Sequence, residues 1–436
     1  MKLKKLLSLA LALGLASSLA ACSSQGTSGA SPTPAGSDPA PTADTTLNVL
    51  IVSDLEPLEP VFQEFAQANG ISIQVESVPY AEIFNTIEVR LGAGESSIDV
   101  LVADAPLITN YAAKNYLGSM SEYISADSTS RITSASLAGG TVDGEIMALP
   151  LYSSCVNLYY NKDLFEQAGI EAPEVAYATW DEFFEACDKL KEAGITPIGM
   201  DSADSGWLTN LWMSALIGTN GEAGNEWMNT MYPTDYNTPE VIAAAENIQK
   251  MFQNYTTPDA VGGKYDPMAT HFFNGEVAMF PNGPWMIPDF SETEKAPEGF
   301  YDKVGIMLLP GNGMEMVPTP GDMVGATDPE KIEAAVAFLK FETTPENQIK
   351  ALEMTGLQPV SDNLEIPETL SESDPLMAQA LEIQGKAGVT YGQNQAYWYQ
   401  NTIDTFSTEL PELAYGNITA EEFCTKLSEA AAKNLE

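Results

Sequence analysis

The sequence predicts an α/β fold built as two lobes. Three observations carry that expectation. A strand–helix alternation runs through the first part of the chain, the same alternation restarts near Cys155, and helix start and stop signals separate the strand candidates. Alternation of this kind builds a parallel sheet with helices on its faces, and ligands in such sheets sit beyond the carboxyl ends of the strands.

The elements follow in order. Leu47–Val52, "LNVLIV", is an apolar run of strand length. "LEPVFQEFAQANG" has helical spacing and stops at Asn69-Gly70. Ile71–Val78 alternates with period two and is a strand. Tyr80–Leu91 is helical, Asp99–Ala103 is a short buried strand, and "LITNYAAKNYL" is helical again. In the second part Cys155–Tyr160 is a strand, followed by the helical "NKDLFEQAGI". "TWDE", Thr179–Glu182, has the form of a capping box, and Gly194 closes the helix it opens. "ITPIGM" is a further strand, and "AEEFCTKLSEAAAK" is the clearest helix of the C-terminal region.

The first residues belong to no lobe. Lys2, Lys4 and Lys5 form a basic head before the apolar run Leu6–Ala21, the pattern of a secretory signal. The junction "LAAC", Leu19–Cys22, resembles a bacterial lipobox, which implies cleavage before Cys22 and a lipid on its thiol. Ser23–Thr46 has no aromatic residue and is dense in Ser, Thr, Pro, Gly and Ala, the composition of a tether. The expected location is therefore the outer face of the cytoplasmic membrane, with the folded part held there by lipid.

Composition narrows the function. The 436 residues carry a formal net charge of −42, which argues against nucleic acid or anionic lipid as ligand. Of the four cysteines, Cys22 is assigned to lipid, and Cys155, Cys187 and Cys424 are expected to be reduced. His271 is the single histidine, so a zinc site or a Ser-His-Asp machine is disfavoured. No cofactor or metal is expected.

Five segments carry a resemblance. They are "ALPLYSSCVNLYYNKDLFEQAGIEAP", "TWDEFFEACDKLKEAGITPIGM", "FFNGEVAMFPNGPW", "EKIEAAVAFLKFETTPENQ" and "NQAYWYQNTIDTF". In order and spacing the chain resembles the extracellular solute-binding proteins of ABC importers, in the sugar-binding family that includes maltodextrin-binding protein. The resemblance implies a periplasmic-binding-protein-like fold. Two doubly wound α/β lobes are joined by hinge crossings and close on a ligand in the cleft between them. By segment, lobe 1 spans Leu47–Tyr152 and Thr319–Glu368, and lobe 2 spans Ser153–Pro318 and Thr369–Glu436. The implied function is capture of a carbohydrate, an oligosaccharide above all, for delivery to membrane permease subunits. The protein is expected to act as a monomer and not as an enzyme.

The same resemblance implies the site. Trp285, ending the "NGPW" turn, lines the cleft and stacks on a sugar ring, whose apolar C–H face suits an aromatic plane. Trp398 in "AYWYQ" corresponds to a second stacking position, with Tyr397 and Tyr399 beside it. Trp207 in "DSGWLTNLW" lies in a loop where the family supplies an aromatic, whereas Trp212, Trp180 and Trp227 are expected in the core. Asp54 and Glu56 follow the first strand and Asp104 follows the third, where cleft residues belong. Ser154 stands where some maltodextrin binders carry an acid. Gly321-Asp322 lies in the return crossing.

Two rival readings stay open. A secreted glycosidase needs two carboxylates facing across a cleft, and 61 acidic residues always supply such a pair. A binder of another solute is the other: polyamine binders also use acids and aromatics, and ferric-ion binders use paired tyrosines such as Tyr159-Tyr160, which the pattern here assigns to scaffold.

Overall fold

The computed structural model describes residues 45 to 435, leaving out 94–97, 104–107, 109–110, 125–136, 138–139, 151, 153, 204–205, 318–320, 326–327, 361–363 and 365. Cys22, the signal segment, most of the tether and Asp104 lie outside the described residues.

Among the described residues the strands, in chain order, are β1 (Thr46–Val52), β2 (Ser72–Val78), β3 (Val100–Ala103), β4 (Thr141–Val142), β5 (Glu145–Ile146), β6 (Ala148–Pro150), β7 (Ser154–Asn161), β8 (Thr196–Ile198), β9 (Val277–Asn282), β10 (Val304–Met307), β11 (Gly313–Val317), β12 (Gly321–Val324) and β13 (Val389–Gly392). They form a five-stranded sheet in the order β2-β1-β3-β12-β6, a six-stranded sheet in the order β13-β11-β7-β9-β8 with β10 also on β7, and the two-stranded pair β4-β5. Strands β1, β2 and β3 run parallel, as the strand–helix alternation requires. In the second sheet β8 is parallel to β9 and β13 is parallel to β11, while β7 runs against β9 and β11.

The chain passes from the first sheet to the second between Pro150 and Ser154, and returns between Val317 and Gly321. Val317 stands opposite Ser154, and Gly321 stands opposite Pro150. The strand pairs β7/β11 and β6/β12 therefore meet end to end at the junction. Two cores follow the two sheets. Leu50, Phe62, Ile83, Leu101 and Phe338 belong to the first, and Leu158, Phe183, Trp212, Phe280 and Phe406 to the second.

Local chemistry explains the elements. β1 is buried along most of its length, which suits a central strand covered on both faces. Helix Glu59–Asn69 stops at Gly70, whose φ of 66° is the left-handed conformation that glycine adopts without penalty. Helix Trp180–Glu192 buries Phe183, Phe184, Cys187 and Leu190 on one face. The Thr179 hydroxyl accepts from the Glu182 N–H at 3.2 Å, while the Glu182 carboxylate accepts from Ala178 N–H, one residue earlier than a reciprocal box. The reciprocal box forms instead at Thr419 and Glu422, opening helix Ala420–Ala432.

Asp99 is structural. Its carboxylate is 1% exposed, yet it accepts from Asn48 N–H at 2.8 Å, from Asn48 Nδ2 at 3.0 Å and from Lys331 Nζ at 2.9 Å. A buried charge held by three donors locks β1 to the strand beside it. Cys155, Cys187 and Cys424 are buried and unbridged. Burial pushes the Cys155 and Cys424 thiols up to about 12, so neither is a ready nucleophile. No helix among the described residues is long and apolar enough to cross a membrane.

Candidate ligand cleft

Trp285 stands at the junction of the two halves. It is half-buried and packs against both cores. Strand β9 delivers it: after Asn282 the chain turns through Gly283 into the 3-10 turn Pro284–Met286. The indole folds back over Gly283, where an added Cβ would lie 1.9 Å from the ring. Glycine is needed there for space rather than for its dihedral angles. The turn is fixed from several sides. Tyr159 OH donates to Gly283 O at 2.8 Å, and the Asn282 amide oxygen accepts from Gly283 N–H at 2.9 Å. The Pro284 carbonyl lies against Gly356, where a Cβ would come within 2.4 Å of it.

Trp207 is the second aromatic at the junction. It opens helix Trp207–Gly218, in the connection that follows β8, and is half-buried. Its ring centroid lies 6.4 Å from that of Trp285, with the planes at 56°. The carboxyl ends of the neighbouring parallel strands β8 and β9 thus bring two indoles together.

Acidic groups follow the first strand of the other sheet. Asp54 and Glu56 lie on the 3-10 turn Ser53–Leu58 directly after β1, and both are exposed. Ser77, near the end of β2, donates its hydroxyl to Glu56 Oε1 at 2.5 Å. Water reaches the Asp54 side chain, but protein surrounds it closely enough that desolvation raises its pKa. Asp289, Asp266 and Glu56 push in the same direction, and Lys295 opposes them. Three of those neighbours, Asp266, Asp289 and Lys295, belong to segments that pack with the second sheet. The Asp54 carboxylate is thus open to water and near charges carried by segments of both halves. Burial also raises Asp289, against the pull of Lys295, whose ammonium donates to it at 2.7 Å. Tyr265 faces the same acids, and its hydroxyl accepts from Asn282 Nδ2 at 2.6 Å. Tyr265, Asp266, Asp289 and Lys295 escaped the sequence reading. Asp289 alone had a signal, its place just past the "NGPW" turn.

The remaining candidates divide. Ser154 opens β7 opposite Val317, at the junction. Gly321 and Asp322 open β12, opposite Pro150 and Leu149 of β6. Tyr397 is half-buried and lies over Gly392, where a Cβ would come 2.5 Å from its ring. Trp398 is corrected. It is 2% exposed, with ring contacts to Tyr236 at 4.8 Å, Trp227 at 5.9 Å and Phe406 at 6.0 Å. An indole so covered has no face left for a sugar ring. Trp212 is fully buried, and Trp180 and Trp227 pack among other rings while donating to Thr219 Oγ1 and Asp235 O. Tyr159 is buried, and Tyr160 packs on Phe165 and over Gly305. Adjacent strand residues point to opposite faces, so this pair does not converge on an ion.

A family model described as bacterial extracellular solute-binding protein matches residues 61–379. The chain belongs to that family. A binding protein of Brucella abortus (strain 2308) is 23% identical over 308 residues, covering 69% of this chain and 73% of the relative. The multiple sugar-binding protein of Streptococcus mutans is 24% identical over 227 residues, 49% of this chain and 51% of that one. Among solved structures, a chitin oligosaccharide binding protein superposes with a TM-score of 0.77 at 23% identity, over 90% of this chain and 99% of that one. At that identity the likeness establishes the fold, which is periplasmic-binding-protein-like. The solute-binding family acts outside the cell.

Proposed function

We propose that this solute-binding protein captures a carbohydrate, an oligosaccharide, in the cleft between its halves and delivers it to the permease subunits of an ABC importer. The observation that carries the reading is the Trp207–Trp285 pair at the junction of the two cores. A pyranose has an apolar C–H face and a hydroxyl rim. Indole planes cover the first, and carboxylates accept from the second. Covering ~40 Å² of ring face contributes about 1 kcal/mol at ~25 cal/mol/Å². The named ligands of relatives, multiple sugars and chitin oligosaccharide, support the class.

The lobes in this reading are 47–152 with 319–368 and 153–318 with 369–436, in keeping with the two sheets. Ligand contacts are assigned to Trp285, Trp207, Asp54, Glu56, Asp104, Ser154, Gly321, Asp322 and Tyr397. Cys22 carries the lipid that anchors the protein to the outer face of the cytoplasmic membrane, and Cys22→Ser is expected to release it from that membrane on cell fractionation.

A thermal-shift screen of malto-, chito- and xylo-oligosaccharides, polyamines and ferric salts tests the reading. A sugar at 100 times its Kd is expected to stabilise by about 2.7 kcal/mol. Stabilisation by a polyamine alone would favour the acidic rim over the indoles and overturn the proposal. Chromatography of the incubated sugars checks the binder against a glycosidase, because cleavage products belong only to an enzyme.

A further inference from the structure

We propose that Asn210 and Asn394 are positioning residues for sugar binding: a buried amide pair that fixes the Trp207 indole against Trp285. The proposal rests on the sugar-binding reading and adds two residues that act through Trp207.

Trp207 opens a helix that its own N-cap supports poorly. Gly206 caps helix Trp207–Gly218 in the left-handed conformation, with φ of 61°, and has no side chain to accept from the first turn. Support comes from farther along the chain. Asn210 donates both its backbone N–H and its Nδ2 to the Gly206 carbonyl, each at 2.9 Å. That carbonyl belongs to the peptide joining Gly206 to Trp207, so Asn210 holds the backbone from which the indole projects. Asp201, 1% exposed, accepts from Thr209 N–H at 3.3 Å and steadies the same turn.

Asn210 is itself held by a residue 184 positions away, since Asn394 Nδ2 donates to Asn210 Oδ1 at 2.5 Å. Asn394 N–H donates to Ser214 Oγ at 3.0 Å, and that hydroxyl donates to Asn210 O at 2.9 Å. Trp207, Asn210, Ser214 and Gly218 form one stripe along the helix. Tyr391 lies over Gly218, where a Cβ would come 2.2 Å from its ring, and Asn394 lies over Ser214 and Asn210. The chain from Tyr391 to Asn394 therefore runs along the stripe toward Trp207. Asn394 also opens the short helix Asn394–Tyr397, so the same pair ties Trp207 to Tyr397.

Asn210, Ser214 and Asn394 are all 0% exposed, and every residue from Leu208 to Gly218 is buried. Packing alone would be served by apolar side chains at 210 and 394. A buried amide must offset its lost hydration, and Asn is a poor residue for a helix interior. What the amide pair adds is direction: hydrogen bonds fix one register, whereas apolar contact tolerates several. The geometry it serves is that of the two indoles, whose centroids lie 6.4 Å apart with planes at 56°.

The test replaces both asparagines at once. Asn210→Leu with Asn394→Leu removes the two partners together and strands neither amide, so the melting temperature should stay near that of wild type. The first readout is the far-ultraviolet exciton couplet that close indoles give in circular dichroism. Subtracting the Trp207→Phe spectrum from that of wild type isolates the couplet involving Trp207. The same subtraction in the double-leucine background is expected to give a couplet of lower amplitude or opposite sign. The second readout is calorimetric titration with maltotriose, chitotriose and xylotriose, in which the double variant should bind the best-bound sugar about fivefold more weakly. A double variant that melts normally and keeps the couplet overturns the proposal, as does a wild type with no such couplet. A lost couplet with unchanged sugar affinity overturns the role in binding. If the double variant melts far lower, Asn394→Ser carries the same readouts, because it keeps the backbone bond to Ser214 and withdraws the side chain from Asn210. If wild type binds none of the sugars, the sugar-binding reading falls, and the couplet alone decides whether the pair fixes the indole.

Discussion

Trp285 and Trp398 follow the ends of two strands of the same sheet, yet one is open and the other is covered. Trp285 comes two residues after the cramped Gly283, on a 3-10 turn, and it packs at the seam between two cores. Trp398 is enclosed by Trp227 and Tyr236 from distant segments and by Phe406 of the helix that follows. Residue type does not separate them, nor does proximity to a strand end. The separation lies in what the rest of the chain lays over each ring.

Substitutions can break or sharpen this contrast. The largest effect is expected at the covered ring. Trp398→Ala should cost about 3–5 kcal/mol in denaturant unfolding and alter sugar affinity only by unfolding the protein. A variant of unchanged stability that binds poorly would place Trp398 in the cleft after all.

A second probe lies under the covered edge. Glu315 on β11 is fully buried. Burial holds its pKa well above the ordinary glutamate value, against the pull of Ser214 and Gln393. A raised folded-state pKa means that its contribution to stability is whole below the ordinary value and is lost as pH rises toward the folded one. Glu315→Gln should match wild type near pH 4. Above that it should gain stability by up to ~1.4 kcal/mol per pH unit, as unfolding curves at several pH values would record. A pH-independent difference would mean that Glu315 is not held neutral.

At the open ring the readout changes from stability to affinity. Trp285→Ala should weaken oligosaccharide binding by about 1–3 kcal/mol, roughly 5- to 150-fold, with a smaller loss of stability. Titration calorimetry and unfolding of the unliganded protein decide between this and a core role. Gly283→Ala approaches the same ring differently, since its Cβ would collide with the indole. It should lower affinity while keeping all the tryptophan fluorescence.

The smallest effect is expected at the surface. His271 pairs with Glu276 and with Asp259, and its side chain is 25% exposed. Burial draws its pKa down, but the two carboxylates outweigh it and raise it overall. Their contribution is present below the ordinary histidine value and is lost as pH rises through the folded one. At an exposed site this amounts to less than about 1 kcal/mol, measurable as the difference between wild type and His271→Gln at pH 6 and pH 9.

The alternation of apolar runs and helix caps, together with Gly70, Gly283 and Pro284, was enough by itself to determine this protein's α/β class, its strands β1, β2, β3, β7 and β8 and the sharp turn after β9. Those features act over a few residues, where periodicity and turn chemistry are decisive. Trp285 and Trp207 were legible as candidates through the resemblance to the sugar-binding family, and Asp54 through its place at a strand end. Tertiary structure alone decided that these two indoles meet, that Asp54 feels Asp289 and Lys295, and that Tyr236 buries Trp398. Each of those relations joins segments far apart in the chain. Burial is set by which distant side chains close over a residue, and no local pattern encodes that partner.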